Sequence, residues 1–138
     1  MTLKPILAVL ASAATGFLLG WLIFGVLLAG FYESNMTVYE GLMKEPSMWV
    51  YIGGNLAWSI LFVYIFAFLA SVKTFLKGFI AGLIIALLIT LSYDLFLFGG
   101  MNLFTFPVFI VDVIANTILG ALVAGVAALI LGTGKKGE

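Results

Sequence analysis

Two aspartates and two asparagines are the residues whose types and spacing could do chemistry here. Asp94 lies in LSYDLFLFGG (91–100) and Asp112 in FPVFIVDVIAN (106–116), each inside a long apolar run. Asn116 follows Asp112 by four residues, so on a helix the two share a face. Asn55 lies in an earlier apolar run and shares a helical face with Ser59 and Tyr51. Two carboxyl groups in apolar surroundings can hold one proton between them. They can also bind a cation or small polar ligand, or serve as an acid–base pair. The candidate polar cluster is therefore Asn55, Asp94, Asp112 and Asn116.

Other chemistry is excluded by what the chain lacks. It has no Cys and no His, and its six basic residues are all Lys. Disulfides, thiol redox chemistry, Fe–S clusters and His-ligated haem or metal are ruled out. No lysine lies deep inside an apolar run, Lys77 standing at the very start of the third, so a Schiff base within a span is ruled out too. No cofactor or metal is expected. Formal net charge is zero and there is no basic patch, so no nucleic acid partner is expected. Tyr93-Asp94 with a second aspartate on the next run resembles intramembrane aspartyl proteases. Asp112, however, sits in Phe109-Ile110-Val111-Asp112 and lacks the Gly-x-Gly-Asp of that family, and the chain is short for its fold. No enzyme is expected.

The elements that position these residues follow from composition. Of 138 residues, 64% are hydrophobic and 9% charged, against about half and a quarter in soluble domains. So short a chain cannot hide that much apolar surface from water. Lipid must be its solvent, and helices satisfy their own backbone there. Four runs exceed the roughly 20 residues a span needs: 6–32, 49–72, 74–98 and 107–131. The fold class expected is all-α, one four-helix transmembrane bundle over residues 1–138. Ser47, Thr74 and Thr105 are the expected N-caps, and Pro46 and Pro107 fall at helix starts. Gly99-Gly100 is the expected stop of the third span. The first span, with Lys4 before it, is expected to be an uncleaved signal anchor. In the connection 33–48, Thr37 to Glu40 forms a capping-box pattern. Met36, Tyr39 and Met43 follow near helical spacing, which predicts a short interfacial helix.

Lysines set the orientation. Lys4, Lys73, Lys77, Lys135 and Lys136 share one side of an even-span protein, and Lys44 is alone on the other. Both termini are expected in the cytoplasm, and the tail after the last span adds a basic anchor. Depths then follow at about 1.5 Å per residue from the outer boundary: Asp94 about 5 Å, Asp112 about 8 Å, Asn55 about 9 Å and Asn116 about 14 Å. All four occupy the outer half. An acid at a helix centre costs about 2.5–3.5 kcal/mol, and less toward the interface. Asp94 is expected to end its span and turn toward interfacial water. Asp112, deeper and near the positive end of its helix, is expected to face the bundle. If the two meet, they share one proton.

Packing is expected along small residues that let backbones approach. Ala8, Ser12, Gly16 and Gly20 form one row. Gly78, Gly82, Ala86 and Thr90 form a second, and Gly120, Ala124, Ala128 and Gly132 a third. Aromatics crowd the second span, where those at mid-depth are expected to face lipid or a partner. Gly16-Phe17 to Gly20 echoes Gly78-Phe79 to Gly82, Tyr32-Glu33 echoes Tyr93-Asp94, and Asn55 echoes Asn116. A duplicated hairpin would produce this.

The chain resembles the small four-span bacterial membrane proteins grouped in domain-of-unknown-function families. The resemblance is carried by Gly20-Trp-Leu-Ile-Phe-Gly25, by Lys77-Gly78-Phe79 and by the Gly-rich last span. It implies a multi-pass bacterial inner-membrane protein and no activity or site residues. Two functional classes stand: a structural or accessory membrane component, or a proton- or cation-coupled transporter or channel subunit using Asp94 and Asp112. Expected partners are the lipid bilayer and either further copies of the chain or a partner membrane protein.

Overall fold

The computed structural model describes residues 3–134, and these are helical apart from short connections. Helix α1 (Lys4–Gly20) continues as a wide π-helical segment (Trp21–Leu27) and then, past Leu28, as the short helix α2 (Ala29–Asn35). Helix α3 (Met48–Tyr64) likewise ends in a π-helical segment (Ile65–Leu69). Helices α4 (Phe75–Gly100) and α5 (Phe106–Gly132) are unbroken. Four helical stretches are long and apolar enough to cross a membrane. At 26 and 27 residues, α4 and α5 run about 40 Å, beyond a ~30 Å hydrocarbon core.

One end of the molecule carries the loops 36–47 and 101–105; the other carries Lys4, Lys73 and Lys77. At the lysine end a tight turn joins α3 to α4, with Ser71 at positive φ. Thr74 caps α4 by accepting from the Lys77 N–H at 3.4 Å. Ser47 and Thr105 stand at N-cap positions in extended backbone, but their side chains do not cap. The Thr105 hydroxyl donates instead to the Asn35 carbonyl at 2.9 Å. The tail carrying Lys135 and Lys136 lies outside the described residues.

Helix α5 is the axis of the bundle. Half of its apolar window is buried, against 22% in each other span. Helices α1 and α3 pack on each other and on α5, whereas α4 packs mainly on α5. The core is small: Phe62, Phe66, Val63, Ala8, Val123, Ala124, Ala127, Ala128 and Leu131. Outward faces remain apolar, with Leu18, Trp21, Leu88 and Phe96 exposed. That is the pattern of helices solvated by lipid on one side and by each other on the other.

Three expectations are corrected. The loop 36–47 has no helix. Gly41 takes a positive φ there, and the strand-like chain is stapled to the opposite loop by Thr37 N–H to the Leu103 carbonyl (3.3 Å) and Tyr39 hydroxyl to the Asn102 carbonyl (2.9 Å). Those bonds replace the ones a helix would supply. Secondly, the aromatics of α3 divide. Trp58, Phe62 and Phe66 stack along the inner face with centroids 5.6 and 6.0 Å apart, and both Phe are fully buried, while Tyr64 and Phe68 face outward. Thirdly, α4 does stop at Gly99-Gly100, but without the left-handed glycine turn expected there: both are its last helical residues, with open space around them, and the chain turns extended at Met101.

Candidate functional site

The α4–α5 seam places the aspartates. The buried residues of α4 are Gly78, Gly82, Ala86, Thr90 and Asp94, one every four residues. The small-residue row of the sequence is thus the contact ridge, and it ends in an acid. A Cβ on Gly78 would strike Ala128, and one on Gly82 would strike Ala124. A Cβ on Gly120 would strike Ala86. Each four-residue step up α4 therefore matches a four-residue step back along α5. Two further steps bring Thr90 level with Asn116 and Asp94 level with Asp112. A ridge recurring every four residues drifts around a 3.6-residue helix, the pattern that suits a right-handed crossing.

The register is consistent with burial. Asp94 is 2% exposed and ends the buried row of α4, and the four-residue steps set Asp112 opposite it. Asp94 Oδ2 is buried and has no hydrogen-bond partner. Asp112 is half-buried and well supplied. Its Oδ1 accepts from the Tyr32 hydroxyl, and its Oδ2 accepts from Asn116 Nδ2 at 2.9 Å. The same amide also reaches the Asp112 carbonyl at 2.9 Å, the back-bond that four-residue spacing permits.

Asp94 therefore does not turn to interfacial water; it is the more buried of the two acids. The reason is its place on the ridge: four residues after Thr90, it continues the buried row of α4 against α5. With the helix running through Gly100, Asp94 lies six residues from its end, about 9 Å. Asp112 lies six residues from the start of α5, also about 9 Å. The two are at one depth.

Asn55 is not joined to this pair by any hydrogen bond. Its amide donates to the Tyr51 carbonyl at 2.9 Å, and its Oδ1 lies 2.5 Å from where a Gly16 Cβ would be. Asn55 thus occupies the α1–α3 seam, facing the gap that Gly16 leaves. One turn further along α3, Ser59 is fully buried with an unpartnered hydroxyl. The sequence echo between the hairpins is not kept in packing: Gly16 meets Asn55, whereas Gly78 meets Ala128 and not Asn116.

Tyr32 is the residue that sequence reasoning missed. It lies sixteen residues after Gly16, which faces α5 through Val123. An unbroken α-helix would place it about 160° round from Gly16, facing away. The π-helical segment and the break at Leu28 (φ −105°, ψ −2°) change that phase. A helical side chain also leans back toward its N-terminus, so the hydroxyl reaches down to the level of Asp112. The signal available was the Tyr32-Glu33 and Tyr93-Asp94 echo, and it misleads about Tyr93, which is exposed.

The lysine half of the same seam is filled by Gly78, Gly82, Ala86, Gly120, Ala124 and Ala128 in backbone-close contact. Gly125 faces the Phe75 ring, and Gly132 faces the Lys73 carbonyl. Among the described residues, no cluster of three or more Asp, Glu, His or Cys could hold a metal ion. Compared with family models, curated proteins and solved structures, the chain matches none of them.

Proposed function

We propose that this chain is a structural or accessory component of a bacterial cytoplasmic membrane, acting through helix packing and not as an enzyme. The observation that carries this reading is the tight Gly/Ala seam between α4 and α5 across the lysine half. Polar side chains gather toward the loop end, and the contact below them is filled by backbone and methyl groups. The α4–α5 contact of a single chain therefore offers no hydrated route across the lysine half. Exposed apolar faces on α1, α3 and α4 are available to lipid, to further copies of the chain or to a membrane partner.

The lysine bias supports both termini lying in the cytoplasm, which puts the Asp94–Asp112 pair in the outer half. A cysteine placed at Glu40 then reacts with an impermeant reagent added outside intact cells; labelling only after permeabilisation would reverse the orientation.

The function itself is tested by flux. Vesicles containing the purified chain alone should pass protons, Na⁺ and K⁺ no faster than protein-free vesicles. Flux that appears with the chain and vanishes in Asp112→Asn would overturn the accessory role. It would favour the second reading, a proton- or cation-coupled transporter or channel subunit, for which the unpartnered Asp94 Oδ2 is the supporting observation.

A further inference from the structure

Beyond packing, the polar pair has a binding chemistry of its own, independent of whether the chain conducts anything. Asp94 is 2% exposed, and its Oδ2 is buried without a partner. A buried polar atom left unpaired is costly, and a buried unpaired charge more so. Among the described residues, the titratable groups that the packed elements bring to this level of the seam are Asp112 on α5, set opposite by the register, and Tyr32 on α2, which bonds to Asp112. Neither supplies a positive charge. The six lysines lie in the loop 36–47, at the lysine end or in the tail.

The polarity of the neighbours decides what the gap takes. Tyr32 aims its hydroxyl proton at Asp112, and Asn116 aims its amide N–H there. Both groups donate, and both spend their donors on Asp112. A metal cation wants about six or more oxygen ligands presented to it. Here it would meet an N–H and an O–H already directed at the carboxylate, and only two acidic side chains. A further donor suits the site, and a carboxylic acid is such a donor. Asp112 is already the acceptor of two bonds, with lone pairs remaining. Asp94 is the oxygen-bearing group without a donor.

We infer that Asp94 and Asp112 form a binding site for one exchangeable proton, carried on Asp94 and donated to the Asp112 carboxylate. The proton comes from water at the loop end and returns there, and the pair as a whole alternates between charge −1 and −2. In the singly protonated state the Asp94 carboxyl becomes a donor, and Asp112 keeps lone pairs to accept from it. Loss of the proton leaves two carboxylates facing each other in a site with no countercharge, so it must loosen the upper end of the α4–α5 contact or admit water.

The chain makes this directly measurable, because Asp94 and Asp112 are its only aspartates. Infrared spectra of the full-length protein in lipid nanodiscs, carrying ¹³C-carboxyl aspartate, report these two groups alone. At neutral pH we expect half of the labelled aspartate intensity in the protonated carboxyl band and half in the carboxylate bands. The protonated band should shift in ²H₂O and disappear on raising pH. It should be lost at neutral pH in Asp94→Asn, where only Asp112 is labelled, with the helical circular dichroism unchanged. Four outcomes overturn the inference: both aspartates ionised at neutral pH; both protonated there; a protonated band that neither exchanges nor titrates; or a band removed at fixed pH by Na⁺ or Ca²⁺, which would make it a cation site. The wild-type titration decides the matter even if Asp94→Asn does not fold.

Discussion

Asp112 is gripped from two helices, and the two grips differ in how visible they are in the sequence. Asn116 sits four residues on, so its bond to Asp112 follows from helical spacing alone. Tyr32 comes from the far end of the first span, and its bond exists because the π-helical segment re-phases α2. Nothing in an all-apolar run such as WLIFGVLLAG marks where a helix widens. Asp94 was misplaced because the small-residue row was not followed past Thr90: the next four-residue step is Asp94, and it stays on the buried face. At this scale Tyr32→Phe is the informative change. It deletes one interhelical hydrogen bond and leaves the ring, so it should destabilise the folded protein by about 0.6–1.7 kcal/mol. Reversible unfolding in mixed micelles measures this. An unchanged stability would mean that Tyr32 does not engage Asp112.

Among the elements, the α4–α5 pair was the most legible. Its small-residue rows were visible as four-residue repeats, and they became the contact ridge with Asp94 as the next step. What the rows could not give was their mutual register, since any Gly can face any Ala. Loop 36–47 was read as helical because a capping box and spaced apolar residues were present. Its backbone bonds go to the 101–105 loop instead, a tertiary pairing that local pattern cannot report. The seam predicts a contrast between glycines. A side chain at Gly82 runs into Ala124 and the Gly120 carbonyl, so Gly82→Val should cost about 1–3 kcal/mol by overpacking. Gly54 has open space around it. Gly54→Ala should instead stabilise α3 by about 0.5–1 kcal/mol, through the lower helix propensity of glycine. Thermal unfolding of both variants in one detergent tests the pair, and equal effects would contradict the seam.

For the whole molecule, composition alone established an all-helical membrane bundle with four spans. The helix at its axis was hidden. In lipid, an apolar surface marks neither core nor exterior, so α5 could not be told from α4 by hydrophobicity. Only the density of small residues along 120–132 hinted at burial on several sides. The placement of Phe62 and Phe66 in the core, and of Tyr64 and Phe68 outside, was hidden for the same reason. The resulting molecule is asymmetric along its length. Its α4–α5 seam is closed by backbone contact at the lysine end and polar at the loop end, and both properties depend on one alignment of α4 against α5.

That alignment can be tested directly, because the chain has no native cysteine. Cysteines are placed in pairs in the full-length protein in native membranes and exposed to a mild oxidant. The Asp94→Cys/Asp112→Cys pair should cross-link rapidly within one chain, and Asp94→Cys/Ile110→Cys, with Ile110 on an outward face, should not. Cross-linking of the second pair in preference to the first would contradict the register. It would remove the paired carboxyls and the sealed seam together.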